Sequence, residues 1–148
     1  MVTANETRVR VLVVDDDPEI FEVFQALANG HPAVELVGAA SPEEAMILSR
    51  DVPPDAILLD HSFPTAGIVE HTDVPTRANR GMSGLEAVEF LRSAAPNAVI
   101  AIYTGSQGLD ESAEHAGADL YLVKGPNAGE VLETVTDRAR RRPRTGDV

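Results

Sequence analysis

Acidic side chains stand at the ends of two apolar segments of this sequence. Asp15, Asp16 and Asp17 come directly after the run at 9–14, and Asp60 closes the run at 56–60. One aspartate is enough to cap a following helix, which accounts for Asp17 and leaves Asp15 and Asp16 for another role. Converging carboxylates raise one another's pKa unless cations neutralise them, and oxygen ligands with few histidines suit Mg²⁺ or Mn²⁺. We therefore predict a divalent-cation site at Asp15 and Asp16.

A hydroxyl and an ammonium group follow two further apolar segments. Thr104 comes after 98–103, and Lys124, the one lysine among the twelve basic residues, comes after 120–123. Taken singly, Asp60 fits a loop cap, Thr104 a β-branched strand residue and Lys124 a solvated strand end. Taken with the metal-binding acids, they are the groups that phosphoryl transfer needs. The cation and the lysine neutralise phosphoryl oxygens, the threonine donates a hydrogen bond, and an aspartate accepts the group as an acyl phosphate.

The elements that position these side chains alternate along the chain. Short apolar runs alternate with amphipathic stretches, which predicts strand–helix units on a mostly parallel sheet. Five strands are predicted, near 9–14, 34–38, 56–60, 98–103 and 120–123. Ligands of such sheets bind beyond the carboxyl ends of the strands, which is where the acids, the threonine and the lysine fall.

Start and stop signals outline the helices between these strands. Asp17 precedes a proline, and Ser41 and Ser83 each lie three residues before a glutamate, the spacing of a capping box. Asn29-Gly30 and Gly117 are predicted to end helices in the left-handed conformation. The last helix is predicted to run from about Ala128 to Arg141.

Composition bounds the function. A chain of 148 residues is the size of one domain, and the absence of cysteine excludes disulfides, thiolate metal sites and cysteine nucleophiles. A net charge of −12 argues against general nucleic-acid binding. No apolar run is long enough to span a membrane and no leader opens the chain, so we expect a cytoplasmic protein without membrane insertion.

Five motifs together resemble the receiver domains of two-component response regulators, in particular the stand-alone chemotaxis type. They are VVDDDP at 13–18, PDAILLD at 54–60 followed by Pro64, GMSG at 81–84, IYTG at 102–105 and GADLYLVK at 117–124. The resemblance implies an α/β fold with a doubly wound, five-stranded parallel sheet, flavodoxin-like, in strand order 2-1-3-4-5. It places the receiver at 8–141, after an N-terminal extension at 1–7 and before a basic tail or linker at 142–148.

The resemblance also implies a role for each site residue. Asp60 would be the phosphoacceptor and a Mg²⁺ (or Mn²⁺) ligand, Asp16 a direct ligand, Asp15 a ligand acting largely through water, and the Ser62 carbonyl a further ligand. Thr104 and Lys124 would hold the phosphate. Tyr121 would be a switch residue that turns inward when the phosphate draws Thr104, although it equally fits a core position.

One segment departs from the family pattern. Residues 65–80 form an insertion after the third strand that contains Glu70, His71, Asp73, Arg77 and Arg80. One hypothesis is a lid that gates the phosphoryl donor or water and supplies an arginine to the phosphate, and the other is a solvated loop.

The sequence alone is compatible with several functions. A receiver domain would accept its phosphoryl group from a histidine kinase or a histidine phosphotransfer protein. Its target protein would bind the face formed by helix 4, strand 5 and helix 5. A phosphorylation-dependent homodimer is a further expectation, and no enzymatic activity beyond the chain's own phosphorylation and dephosphorylation is expected. The alternatives are an unphosphorylated receiver-like interaction module, a haloacid-dehalogenase-like phosphatase, whose Asp-x-Asp pattern Asp15–Asp17 also satisfies, and a flavin-binding protein.

Overall fold

The computed structural model describes residues 8–61, 83–105, 108 and 110–141. Five parallel strands form one sheet in the order β2-β1-β3-β4-β5, as predicted. The strands are β1 Val9–Val14, β2 Val34–Ala39, β3 Ala56–Leu59, β4 Val99–Thr104 and β5 Leu120–Val123. The helices are α1 Pro18–Ala28, α2 Pro42–Asp51, α3 Gly84–Ala94, α4 Asp110–Ala116 and α5 Ala128–Arg141.

Helices cover both faces of the sheet, which makes the fold doubly wound. Alternate residues of each strand point to opposite faces, so Leu12 and Val14 pack under α2, α3 and α4. Val11 and Val13 pack on the other face under α1 and α5. All residues of β3 and β4 are buried, as expected for central strands of a parallel sheet covered on both faces.

The strand ends differ slightly from the prediction. β3 stops at Leu59, so that Asp60 is the first residue beyond the sheet, and its amide donates to the Val14 carbonyl at 2.9 Å. β4 extends through Thr104, which pairs in register with Val123 of β5. Thr104 therefore belongs to the sheet and does not follow it.

The predicted helix starts are confirmed in most details. Asp17 accepts a hydrogen bond from the Glu19 amide, and Ser83 forms the predicted reciprocal capping box with Glu86. Ser41 accepts from the Glu44 amide, but the Glu44 carboxylate accepts from the Ala40 amide and not from that of Ser41. The prediction of a full capping box at Ser41 is therefore wrong for the hydrogen bond to the glutamate side chain, because the Ala40 amide is the donor there.

The predicted helix stops are confirmed at one of two places. Gly117 has φ +99°, a left-handed conformation that suits glycine, and ends α4. The left-handed stop predicted at Asn29-Gly30 is wrong, because Asn29 keeps a right-handed helical conformation. There the Gly30 amide donates to the Leu27 carbonyl, and the chain leaves α1 through a tight right-handed turn.

The first turn of α3 packs directly on the chain that follows β3. The Gly84 amide donates to the His61 carbonyl at 2.9 Å. A Cβ atom at position 84 would lie 2.0 Å from the Asp60 carbonyl oxygen and 2.7 Å from the His61 Cα. This close approach requires glycine and fixes the backbone on which Asp60 stands.

In the part of the chain that the structure describes, no helix is both long enough and apolar enough to cross a lipid bilayer.

The basic residues of the last turn of α5 are Arg138, Arg140 and Arg141. They stand where cations complement the carbonyl end of a helix.

We predict that Gly84→Ala lowers the free energy of unfolding by about 1–3 kcal/mol, because the added methyl group meets backbone atoms that can move only with the Asp60 segment. Gly129→Ala is the matched control. It lies in α5 with open space around it, and alanine there favours the helix by up to about 1 kcal/mol. Urea unfolding measures both variants, and equal stability of the two would contradict the close packing at Gly84.

Candidate functional site

The carboxyl edge of the sheet brings together the side chains that the sequence singled out. The Lys124 ammonium lies 2.6 Å from Asp15 Oδ2 and 3.5 Å from Asp60 Oδ2. These three residues follow β5, β1 and β3, so residues more than forty positions apart in sequence meet at one edge. Asp15 and Asp60 are buried, with 9% and 7% of their surface exposed. Buried carboxylates require a cation or several hydrogen-bond donors, and Lys124 supplies the cation.

Asp15, Asp16 and Asp60 form a group that suits a divalent cation. One carboxylate oxygen from each lies within 4.8 Å of the others. Asp16 is exposed, so the group opens to solvent on one side. Three hard oxygen donors without histidine or cysteine match the preference of Mg²⁺ and Mn²⁺, and a small open cluster leaves room for the waters that Mg²⁺ retains.

Backbone hydrogen bonds orient the two buried carboxylates. Asp60 Oδ1 accepts from the His61 amide at 2.8 Å, and Asp15 Oδ1 accepts from the Asp17 amide at 2.9 Å. In each case the other oxygen, Oδ2, faces Lys124. The turns after β1 and β3 thereby fix which oxygen of each aspartate points to the lysine.

The charges around Lys124 keep it protonated. Burial lowers the pKa of its ammonium, but the hydrogen bond to Asp15 and the charges of Asp60 and Asp15 outweigh burial and raise that pKa above the usual 10.5. Lys124 therefore stays cationic throughout the neutral range. Its amide also donates to the Thr104 carbonyl at 2.9 Å, which joins the ends of β4 and β5.

Thr104 and Tyr121 lie on the same face of the sheet. Tyr121 pairs in register with Ile102, two residues before Thr104 on β4. Thr104 is buried, whereas Tyr121 is half-buried and packs against the core under α2, α3 and α4. Tyr121 thus makes the core contact and lies diagonally across the strand pair from Thr104, while its role as a switch residue stays a prediction.

Sequence reasoning missed Tyr103, which lies beside the site. Tyr103 is 4% exposed, and the Lys124 ammonium lies 5.9 Å from the centroid of its ring. Burial raises the pKa of the Tyr103 phenol, the Lys124 charge lowers it, Asp15 raises it, and the net direction is upward. The available signal was an aromatic residue at the end of an otherwise aliphatic strand, one position before Thr104.

Two sequence predictions lie outside the described residues. These are the Ser62 carbonyl as a metal ligand and the insertion at 65–80 as a lid or a solvated loop. Pro64, Gly81 and Met82 of the motifs also fall there.

Because the folded state raises the pKa of Lys124, the stability that its ion pairs contribute is complete below about pH 10 and is lost as the pH rises through the folded value. We predict that the free energy of unfolding falls more steeply above about pH 10 when Lys124 is present than in Lys124→Met. Both are compared by urea unfolding in a Tyr103→Phe background, because the Tyr103 phenol titrates in the same range. Lys124→Arg, which keeps its charge at high pH, is the control and is expected to show the shallow slope. Equal slopes with lysine and methionine would contradict the pairing.

Known proteins resemble this chain in sequence over most of its length. It is 27% identical over 139 residues to the nitrate/nitrite response regulator protein NarL of Escherichia coli (strain K12), covering 92% of this chain and 57% of NarL. It is 31% identical over 103 residues to protein-glutamate methylesterase/protein-glutamine glutaminase 2 of Methanospirillum hungatei JF-1, covering 64% of this chain and 29% of that protein. The chain thus spans between 29% and 57% of the length of these curated relatives. No protein-family model matches it.

The fold has close structural neighbours as well. A two-component response regulator of the LuxR family from Aurantimonas sp. SI85-9A1 superposes with a TM-score of 0.71 at 28% identity, covering 95% of this chain and 91% of that one. The strand order and the sequence similarity to response regulators agree with this neighbour. This chain therefore carries a receiver domain of the two-component response regulators.

Proposed function

We propose that this chain is a phosphoaccepting receiver in which Asp60 takes a phosphoryl group from a histidine kinase or a histidine phosphotransfer protein. The observation that carries the proposal is the position of Lys124, within 2.6 Å of Asp15 and 3.5 Å of Asp60, at the sheet edge where Thr104 ends β4. We assign the receiver to 8–141, with the extension at 1–7 and the basic tail or linker at 142–148 outside it.

In the proposed reaction an Asp60 carboxylate oxygen attacks phosphorus. A bond forms between that oxygen and phosphorus, and the bond to the donor atom breaks, with its electron pair leaving on the donor. Lys124 neutralises charge on the phosphoryl oxygens, and the Thr104 hydroxyl donates a hydrogen bond to one of them. The hydrogen bond from the His61 amide to Asp60 Oδ1 holds the carboxylate in one orientation for this attack.

Asp15, Asp16 and Asp60 are the residues proposed to hold Mg²⁺ or Mn²⁺, with the Ser62 carbonyl as a further ligand. When bound, the cation supplies positive charge to the phosphoryl oxygens. Lys124 alone leaves the cluster of three aspartates with an excess of negative charge, which disfavours the approach of a phosphate. The donor set of the site therefore fits a cation requirement.

Phosphorylation is proposed to switch a protein-binding surface. The phosphoryl group adds about −1.5 to −2 of charge at Asp60, which favours the arrangement that brings Thr104 and Lys124 closest to it. Tyr121 is proposed to follow Thr104, since both lie on the face under α4. The target protein would then read α4, β5 and α5, and a phosphorylation-dependent homodimer is one form such binding takes.

The proposed function also bears on the location of the chain in the cell and on the insertion after the third strand. Receipt of a phosphoryl group from a kinase agrees with the cytoplasmic location expected from sequence. The insertion at 65–80 is proposed either as a lid that gates donor and water or as a solvated loop. No enzymatic activity on another substrate is proposed, although one relative is named as a methylesterase and glutaminase.

We predict that wild-type protein incubated with acetyl phosphate and Mg²⁺ gains the mass of one phosphoryl group, and that Asp60→Asn does not. Intact mass spectrometry measures the adduct, with omission of Mg²⁺ as the control. Absence of an adduct on folded wild-type protein would contradict the proposal and favour an unphosphorylated interaction module. Repeated turnover of a generic phosphate ester would favour a haloacid-dehalogenase-like phosphatase.

We predict that Asp16→Asn weakens Mg²⁺ binding by at least about tenfold, because it removes one of three oxygen ligands with its charge. Asp17→Asn is the matched control, since it removes the same charge one residue away while asparagine still caps α1. Calorimetric titration with Mg²⁺ measures both. Equal affinities would show that general negative charge, and not the cluster, attracts the cation.

A further inference from the structure

The Lys124 ammonium lies over the ring of Tyr103, which itself packs on a second aromatic ring. The ammonium lies 5.9 Å from the centroid of the Tyr103 ring, within the range of a cation–π contact. Phe24 of α1 meets Tyr103 edge to face, with centroids 5.6 Å apart and ring planes at 75°. Both rings are almost fully buried, with 1% of Phe24 and 4% of Tyr103 exposed. The Tyr103 ring is therefore a fixed surface, whereas Lys124 has a flexible stem.

The register of the sheet explains why the ring and the lysine meet. Tyr103 pairs with Leu122, and both belong to the core under α1 and α5. Lys124 comes two residues after Leu122 and so returns to the same face as Tyr103. Any residue at 103 would lie beside the lysine stem, but an aromatic ring offers a negative face to its charge.

The position of the ammonium matters for the reaction proposed above. Lys124 lies nearer to Asp15 than to Asp60, at 2.6 Å and 3.5 Å. A flexible lysine stem held only at Asp15 could still carry its ammonium away from Asp60. The buried Tyr103 ring, 5.9 Å from the ammonium, is a further contact that would restrict this freedom and keep the ammonium within reach of Asp60.

We propose that Tyr103 is a positioning residue that holds the Lys124 ammonium between Asp15 and Asp60 through the face of its ring. This proposal rests on the proposed phosphoacceptor function for its effect on rate, but the contact itself is independent of phosphorylation. The hydroxyl is dispensable in this role, and the electron-rich ring is the part that acts.

The test compares three residues at position 103 with the wild type. Phenylalanine keeps the ring, a trifluorinated phenylalanine keeps its shape with a weaker negative face, and leucine removes the ring. Lys124 is the one lysine in the sequence, so protein labelled with ¹³C-lysine gives a single ε-methylene signal in an NMR spectrum. An aromatic ring below this group shifts the signal upfield. The rate of phosphorylation by acetyl phosphate is measured on the same samples.

We expect an upfield-shifted ε-methylene signal in the wild type and in Tyr103→Phe, and a signal near the free-lysine position in Tyr103→Leu. Tyr103→Phe should be phosphorylated at the wild-type rate, and the trifluorinated variant about threefold more slowly than Tyr103→Phe. A wild-type signal at the free-lysine position, or equal rates in the phenylalanine and trifluorinated variants, would overturn the proposal.

The two measurements separate this inference from the proposed function. If no variant takes a phosphoryl group, the phosphoacceptor function fails, and the ε-methylene signal still decides the contact. In that case a smaller upfield shift in the trifluorinated variant than in Tyr103→Phe supports positioning by the ring face, and equal shifts overturn it. Should Tyr103→Leu fail to fold, the comparison of the two aromatic variants stands by itself.

Discussion

The interaction on which the site depends is the attraction between one buried ammonium and the carboxylates around it. Lys124 contacts Asp15 and lies near Asp60, and both aspartates are almost completely buried. Two buried carboxylates this close are unfavourable unless a cation accompanies them. The site therefore favours positive charge, and Lys124 is the cation that the proposed phosphoryl group would share. The same constraint explains why position 124 is a lysine in a chain whose other eleven basic residues are arginine, because the planar guanidinium fork does not replace a compact point charge there.

The scaffold serves this interaction by placing three strand ends within contact distance. β1 and β3 are buried inner strands, so the core fixes their ends, whereas β5 is the half-buried edge strand and is held in register by β4. Gly84 adds a local constraint by packing the first turn of α3 against the Asp60 carbonyl. The buried Tyr103 ring near Lys124, itself packed on Phe24, adds another. The charged side chains are thus brought to one edge of the sheet, with the two aspartates on the ends of buried strands and the lysine on the end of the edge strand.

Much of the fold follows from the sequence because its signals are local. The alternation of apolar runs with capped amphipathic stretches predicts the five strands and the ends of α5, and Ser83 predicts its capping box. Sequence signals whose outcome depends on the adjacent backbone predict helix ends less reliably. Asn29-Gly30 is typical of a left-handed helix end, but Asn29 stays right-handed. The Glu44 carboxylate accepts from the Ala40 amide and not from the Ser41 amide, because the preceding backbone decides these details. In the site, residue types predicted which side chains would meet, but the role of Tyr103 depends on register and burial, which no short motif records.

The most direct measurement of the central claim is a crystal structure of the protein with Mg²⁺ and beryllofluoride, a mimic of the phosphoryl group. We predict Mg²⁺ among Asp15, Asp16 and Asp60, and beryllofluoride bonded to an Asp60 carboxylate oxygen with the Thr104 hydroxyl and the Lys124 ammonium as its partners. Beryllofluoride bound elsewhere, or an Asp60 that stays paired with Lys124 while the cation binds another group of acids, would contradict the claim that this sheet edge is a phosphoryl-accepting site.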